Sequence, residues 1–400
     1  MGELTRGERG AVERLDAARM LARVERWAAI NSGTRNLAGC AAMAGELADA
    51  FAALPGELAL IEPGAAESVG ADGDVAALAH GRHLRLTVRP EASPRLLLTG
   101  HLDTVYPADH PFQALVWREP GVLNGPGVAD MKGGLALMLE ALLAVEAEGA
   151  TFGYDVVINS DEETGSFSSA ALLVEAARGK VAALTYEPAL PDGTLAGARG
   201  GTGNFSIVVR GRAAHAGRNP ADGRNAVVAA SALALRLHAE RSPTLAVNPA
   251  RIDGGGPSNV VPDLAVLRVN FRPADAGEIA RARALVEQAA AEVAAVHEVS
   301  VTVHGGFNRP PKPIDEGAAR LFALVRASGA DLGQAIAWRD TGGVCDGNNI
   351  AACGVPVVDT MGARGGAIHS AEEYLIVDSL AERAALSAVT MLRIAAGALA

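Results

Sequence analysis

In the first half of the chain, short apolar runs alternate with longer stretches in which apolar residues recur at helical spacing. L-A-L-I-E at 58–62, L-R-L-T-V at 84–88, R-L-L-L-T-G at 95–100, Y-D-V-V-I-N at 154–159 and V-A-A-L-T-Y at 181–186 predict strands. Residues 11–29 carry a helical stripe through Val12, Leu15, Ala18, Met20, Leu21, Val24 and Trp27, and 38–53, 133–147 and 168–178 also predict helices. Strand and helix in alternation predict an α/β fold, a sheet with helices on its faces.

The pattern changes near residue 200. A strand at Asn204–Arg210 leads to a helix at 222–239, strands at Leu245–Ile252 and Ala265–Phe271, a helix at 277–295 and a strand at Val299–His304. That order, βαββαβ, predicts a compact ferredoxin-like unit. The α/β pattern then resumes with a helix at 316–328, V-P-V-V-D at 355–359 and a final helix from about 377. The expected organisation is an α/β domain with a central mixed sheet, split in sequence into 1–199 and 309–400, with an inserted domain at 200–308. Gly200-Gly201 and Pro310-Pro311 mark the expected hinges.

Several predicted strands end in chemistry. The strand at 95–100 runs into G-H-L-D-T-V, and in extended chain His101 and Asp103 share a face. An imidazole beside a carboxylate suits a metal ligand with its orienting partner, and also an ordinary loop pair. N-G-P-G-V-A-D-M-K-G-G at 124–134 places Asp130 in a glycine-rich bend, whose spacing matches neither dinucleotide nor P-loop signatures. Asp161, Glu162 and Glu163 stand together after the strand at 154–159, T-Y-E-P places Glu187 after the next, and G-G-A-I-H-S presents His369. Adjacent carboxylates repel unless a positive charge sits among them. His, Asp and Glu without Cys are ligands for zinc, manganese or cobalt, and the five candidates suit two ions bridged by one carboxylate.

Composition narrows the function classes. A chain of 400 residues with 49% hydrophobic content has ample material for a large core. Its net charge of -11, with no Lys/Arg stripe, gives no support for nucleic-acid binding. The opening M-G-E-L-T-R-G-E-R-G lacks the apolar core of a signal peptide, and charges interrupt every long apolar stretch, so neither secretion nor a membrane span is expected. Cys40, Cys345 and Cys353 form no Cys-x-x-Cys pair and read as small buried residues, which fits a cytoplasmic protein.

Taken together, G-H-L-D-T-V, G-P-G-V-A-D-M-K-G-G, D-E-E-T-G-S, the Glu187 strand end and H-S-A-E-E-Y resemble the M20 metallopeptidase/deacylase family, in order and across nearly the whole chain. That family includes carboxypeptidase G2-like enzymes, acetylornithine deacetylase and succinyl-diaminopimelate desuccinylase. The resemblance implies two divalent cations, zinc first, with cobalt or manganese also compatible. Asp130 would bridge them, His101 and Glu187 completing one site, Glu163 and His369 the other. Asp103 would support His101, and Glu162 would be the general base. The inserted unit would be a lid and homodimerisation domain. Its His215, in R-G-R-A-A-H-A-G, would reach the partner subunit's site and stabilise the oxyanion. Asn259 in S-N-V-V-P and Arg272 in N-F-R would hold substrate, and R-D-T-G-G-V-C-D-G-N-N at 339–349 resembles the family's substrate loop.

Arg309, in F-N-R-P-P, could fork onto a substrate carboxylate or be a surface charge of the linker. His80, His83, His110, His238, His297 and His304 read as surface or core residues. The expected activity is a metal-dependent carboxypeptidase of the glutamate-releasing, carboxypeptidase G2-like kind, acting on a small peptide or N-acyl amino acid. The alternative is a dedicated deacylase such as acetylornithine deacetylase. A metal-free binding protein would lack a ligand or the base, and none is missing. An aminopeptidase with a similar metal core is disfavoured by the βαββαβ insertion.

Overall fold

The computed structural model describes residues 4–399. The N-terminal reading above therefore rests partly on residues 1–3, which lie outside the described residues. The fold is α/β, with a six-stranded mixed sheet in the order Glu57–Ile61, His83–Val88, Gly153–Asn159, Arg95–His101, Ala182–Thr185, Val357–Val358. The first two pairings are antiparallel and the rest parallel. Central strands have both faces covered, which is why Gly153–Asn159 is buried at every position, with Val156, Val157 and Ile158 as its apolar run and Asp155 held in ion pairs with Arg95 and Lys180. Leu96 and Leu98 belong to the large core with Leu135, Leu139, Phe322 and Leu386 of the helices Gly134–Ala147, Glu316–Asp331 and Ser379–Ala395. Leu97, on the opposite face, packs with Leu172, Leu173 and Ile350.

Two predicted helices start or break elsewhere because a polar residue caps a new start. The stretch 11–29 contains the end of Arg6–Glu13 and then Ala17–Ala28, for Asp16 accepts the N–H of Arg19 and caps the second helix. The helix expected from 222 begins at Ala226, where Asn225 accepts the N–H of Val228, and Pro220–Asp222 is a single 3₁₀ turn. The stretch 339–349 is more regular than a loop: Trp338–Thr341 is a strand beside Leu195–Arg199, and Asp346–Ala351 is a helix.

Residues 202–309 form a separate four-stranded antiparallel sheet, ordered Leu245–Gly254, Leu264–Pro273, Thr202–Arg210, Ser300–Arg309. In its own chain order that is 2-3-1-4, the ferredoxin-like arrangement. The helices Ala226–Ala239 and Ala276–His297 cover one face around Phe205, Ile207, Leu233, Leu267 and Val286. Where the chain crosses between the two units, Asn348 donates to the carbonyls of both Gly200 and Pro310, at 2.9 and 2.7 Å. One side chain thus pins both crossings. Among the described residues no helix is long and apolar enough to cross a membrane.

Candidate metal centre and active site

Parallel register brings the chemistry to one edge. His101 pairs with Asn159 across the sheet, and Thr99 with Thr185, so the segments carrying His101, Glu162-Glu163 and Glu187 leave neighbouring strands at the same end. In α/β sheets that end is where sites form. Asp130 comes from the irregular turn Val128–Gly133, with φ −111 and ψ 89 inside it, and its peptide bond to Met131 is cis. The glycines allow close approach: a Cβ on Gly134 would lie 2.1 Å from the Tyr186 carbonyl oxygen, and one on Gly362 2.2 Å from the same atom. Only bare backbone lets these segments close on the strand end that delivers Glu187. His369 is held in the left-handed region, φ 62, a conformation that costs a non-glycine residue of order 1–3 kcal/mol.

The five side chains meet as two groups sharing Asp130: His101, Asp130 and Glu187, and Asp130, Glu163 and His369, with donor atoms in each group within 4.8 Å of one another. His101 Nε2 lies 3.1 Å from Asp130 Oδ1 and 3.8 Å from Glu187 Oε1. His369 Nε2 lies 3.3 Å from Asp130 Oδ2 and 3.3 Å from Glu163 Oε2. Each oxygen of Asp130 therefore faces a different imidazole. His101 Nδ1 is 2.9 Å from the Asp103 carbonyl oxygen, which fixes a proton on Nδ1 and turns the lone pair of Nε2 into the cluster.

The electrostatics call for cations. Burial pushes the Glu163 carboxyl up to about 8, with Asp130 adding to the rise, and burial pushes Glu162 up to about 7. Burial also raises Glu187, while His101 and His369 are raised by their carboxylate neighbours. A carboxylate cluster this deep keeps its charge only if something positive joins it, and oxygen plus imidazole donors without thiolate suit borderline divalent ions. The residues fit a pair of such ions. Cys345 lines the same cavity and belongs to neither group.

Around the donors stands a rigid frame. The Asp103 carboxylate accepts the Thr34 hydroxyl at 2.6 Å and the backbone N–H groups of Glu162 and Glu163 at 3.2 and 3.3 Å. One carboxylate thus anchors the backbone of both neighbouring glutamates. Asp161, the third acid of the run, accepts the N–H and hydroxyl of Ser168 and closes the turn.

Glu373 went unassigned in the sequence although it lies in the quoted H-S-A-E-E-Y. It is buried, accepts the N–H groups of Gly127, Ala129 and Asp130 and the Tyr106 hydroxyl, and so shapes the bend that carries Asp130. Asp346 was also unassigned; it is buried and accepts from Asn159 at 2.7 Å. Both stand among glycines and polar neighbours, where no periodicity announces burial.

The structure places Arg309 neither on a linker surface nor among the residues lining the cavity. It is 5% exposed. Its Nη2 donates to the Glu162 carbonyl and to Ser166 Oγ, both at 2.8 Å, and lies 2.8 Å from Glu162 Oε1. Nη2 also reaches Asp346 Oδ1 at 3.4 Å, and Glu162 Oε1 accepts no hydrogen bond, so its contact with Arg309 is an ion pair without an aligned hydrogen bond.

His215, Asn259 and Arg272 are exposed and do not line the cavity of this chain. His215 and Asn259 lie together on the lid, in a ribbon pairing Ala214–His215 with Val260–Val261, and the N–H of Ala216 donates to the Asn259 carbonyl. Arg272 donates to Asn270. His80 and His83 are buried; His110, His238, His297 and His304 are exposed or partly exposed.

The cavity beside the donors holds about 550 Å³, enough for a small peptide, with Leu190, Leu195 and Ile368 as apolar wall and Arg199 and Arg339 as basic wall. Enzymes of several specificities share this architecture. The chain is similar to carboxypeptidase G2 of Pseudomonas sp. (strain RS-16), 31% identical over 80% of this chain and 79% of that protein. It is similar to a succinyl-diaminopimelate desuccinylase of Pseudoalteromonas translucida, 28% identical over 72% of this chain and 80% of the other. The solved structure of an aminopeptidase, PepT from Bacillus cereus, superposes with a TM-score of 0.71 at 21% identity, over 96% of this chain and all of that one. The insertion therefore does not argue against an aminopeptidase, as the sequence reading supposed, because a named aminopeptidase has the same fold over its full length. The model of peptidase family M20/M25/M40 matches residues 97–393, most of the chain and every one of the five clustered side chains, and the protein belongs to that family.

Proposed function

We propose that the protein is a dinuclear-metal hydrolase that cleaves an amide bond and releases an amino acid with a free carboxylate, a carboxypeptidase of the carboxypeptidase G2 kind. The observation that carries this reading is Asp130, one oxygen toward the His101–Glu187 group and the other toward Glu163 and His369. His101, Asp130 and Glu187 would hold one cation, and Asp130, Glu163 and His369 the second, with zinc the first candidate. When bound, the cations supply Lewis acidity toward the scissile carbonyl and the attacking water. Glu162 takes a proton from that water and returns it to the leaving nitrogen; burial holds its carboxyl up at about 7 in the metal-free protein, and Arg309 and bound cations would draw it toward the ionised form a base needs. Asp103 keeps Glu162 and Glu163 diverging from one backbone anchor, so one can serve as base and the other as ligand.

The unit at 200–308 would act as lid and dimer contact. In that arrangement His215 of one subunit completes the other's site as oxyanion donor, with Asn259 and Arg272 holding substrate. The exposure of His215 and its absence from the cavity lining of its own chain suit that role. Similarity to the desuccinylase favours a second reading, an N-acyl-amino-acid deacylase.

Amino-acid release by the zinc-loaded protein from dipeptides, N-acyl glutamates, N-acetylornithine and succinyl-diaminopimelate, with Glu162→Ala as blank, tests both readings. Release that the substitution abolishes identifies the chemistry. Release that survives it refutes the assignment of the base.

A further inference from the structure

The cavity has a side that the hydrolytic step does not use. Apart from Glu162 and the clustered donors, its charged lining residues are Arg199, Arg339 and Asp340. Arg199 is nearly buried, its side chain 9% exposed, and pairs with Asp359 at 2.7 Å. Lys312, also buried, lies 3.3 Å from the same Asp359 oxygen. Two buried cations thus share one buried carboxylate. Arg199 Nε and Nη2 donate to Asp359 and Nη1 to the Gly343 carbonyl, which leaves N–H hydrogens on Nη1 and Nη2 without a protein acceptor.

Arg339, on the strand Trp338–Thr341 beside Leu195–Arg199, makes no ion pair or hydrogen bond through its guanidinium among the described residues. Asp192 is exposed and feels the Arg339 charge without pairing to it. The Asp340 carboxylate is turned to the N–H of Ala198, at 2.8 Å. With the clustered donors set aside, Arg199, Lys312 and Arg339 against Asp359 and Asp340 leave this wall with one positive charge in excess. A buried cation with spare donors and an excess charge is costly unless an anion meets it.

Resting on the hydrolase reading above, we infer that Arg199 and Arg339 form an anion subsite that selects substrates carrying a carboxylate beyond the one on the released amino acid's α-carbon. Arg199, held rigid by Asp359, gives the subsite its fixed charge. Arg339, free and at the mouth, closes on the ligand by a forked, charge-assisted contact. The second carboxylate has two chemical sources: an acidic side chain on the leaving amino acid, or a dicarboxylic acyl group. Arg339 is then a specificity residue and takes no part in bond cleavage.

Matched substrate pairs distinguish the sources: N-acetyl-glutamate against N-acetyl-glutamine, and N-succinyl-alanine against N-butyryl-alanine. They are compared in the zinc-loaded wild type, Arg339→Met and Arg339→Lys. The expected result is a preference of about 10-fold or more in kcat/KM for the charged member of one pair, carried by KM, as one charge-assisted contact gives. That ratio should collapse in Arg339→Met and recover in part in Arg339→Lys, and the pair showing it names the source. Hydrolysis with a ratio near one in both pairs, or a ratio unmoved in Arg339→Met, overturns the subsite and leaves the hydrolase reading intact. If the wild type hydrolyses none of the four, the hydrolase reading has failed for them, and calorimetric binding decides the subsite. Glutamate or succinate binding tighter than glutamine or butyrate, lost in Arg339→Met, sustains it, and equal binding overturns it.

Discussion

Replacing Arg309 by Met should disable the base without touching a metal donor. Arg309 Nη2 sits 2.8 Å from Glu162 Oε1, and both side chains are less than a tenth exposed. Removing one partner of a buried pair leaves the other uncompensated, at a cost of roughly 3–5 kcal/mol. Glu162 can avoid part of that cost by keeping its proton. Burial already pushes its carboxyl up to about 7, and Arg309 is the largest influence acting in the opposite direction. Without the guanidinium the carboxyl rises further, by about one to two pKa units if a third to a half of the cost appears in proton affinity.

A base must be ionised, so the acid limb of the kcat/KM profile should move to higher pH by that amount, and activity at pH 7 should fall about 5- to 50-fold. Arg309→Lys keeps the charge and should recover most of the limb position. The assay is the pH dependence of kcat/KM on whichever substrate the release panel identifies, with zinc saturating. An acid limb at the same pH in wild type and Arg309→Met would refute the electrostatic link, even if the variant were slow or unstable.

Asp103→Ala removes the acceptor for the N–H groups of both Glu162 and Glu163, and activity should drop about 10- to 100-fold with weaker zinc binding, measured by activity against free zinc. Glu373→Gln loosens the bend that carries Asp130 and should weaken zinc affinity by about 10- to 100-fold, read by competition with a chelating dye. In the metal-free protein Glu162 and Glu163 rise on folding from 4.5 to about 7 and about 8. Carboxyls raised in this way contribute stability that is complete below their unfolded pKa and is lost as pH climbs through the folded one. Metal-free stability in urea should therefore decline from about pH 4.5 to about pH 8, and zinc should raise Tm more at pH 8 than at pH 6; a zinc effect that shrinks as pH rises would count against the buried carboxylate cluster.

The sequence carried most of the architecture because the central strands Arg95–His101, Gly153–Asn159 and Ala182–Thr185 are almost wholly buried and each contains a short apolar run. The ferredoxin-like unit was legible because its strands alternate and its helices have one apolar face. The clustered donors were visible because each follows an apolar strand or a glycine bend. What escaped was the frame around them. Glu373 and Asp346 lie in segments without periodicity, and their burial depends on what crosses them in space. The split at Asp16 was missed because an apolar stripe continues across it while the cap interrupts the backbone. Arg309 looked like a linker charge beside two prolines; its burial follows from the lid strand Ser300–Arg309 ending against the Glu162 turn.

The central claim is that one carboxylate serves two cations. Calorimetric titration of the metal-stripped protein with zinc, checked by native mass spectrometry, tests it most directly. The account predicts two zinc ions per chain in the wild type, one in Glu187→Ala and one in His369→Ala, and loss of both tight sites in Asp130→Ala. A single ion in the wild type, or two tight ions retained in Asp130→Ala, would contradict it.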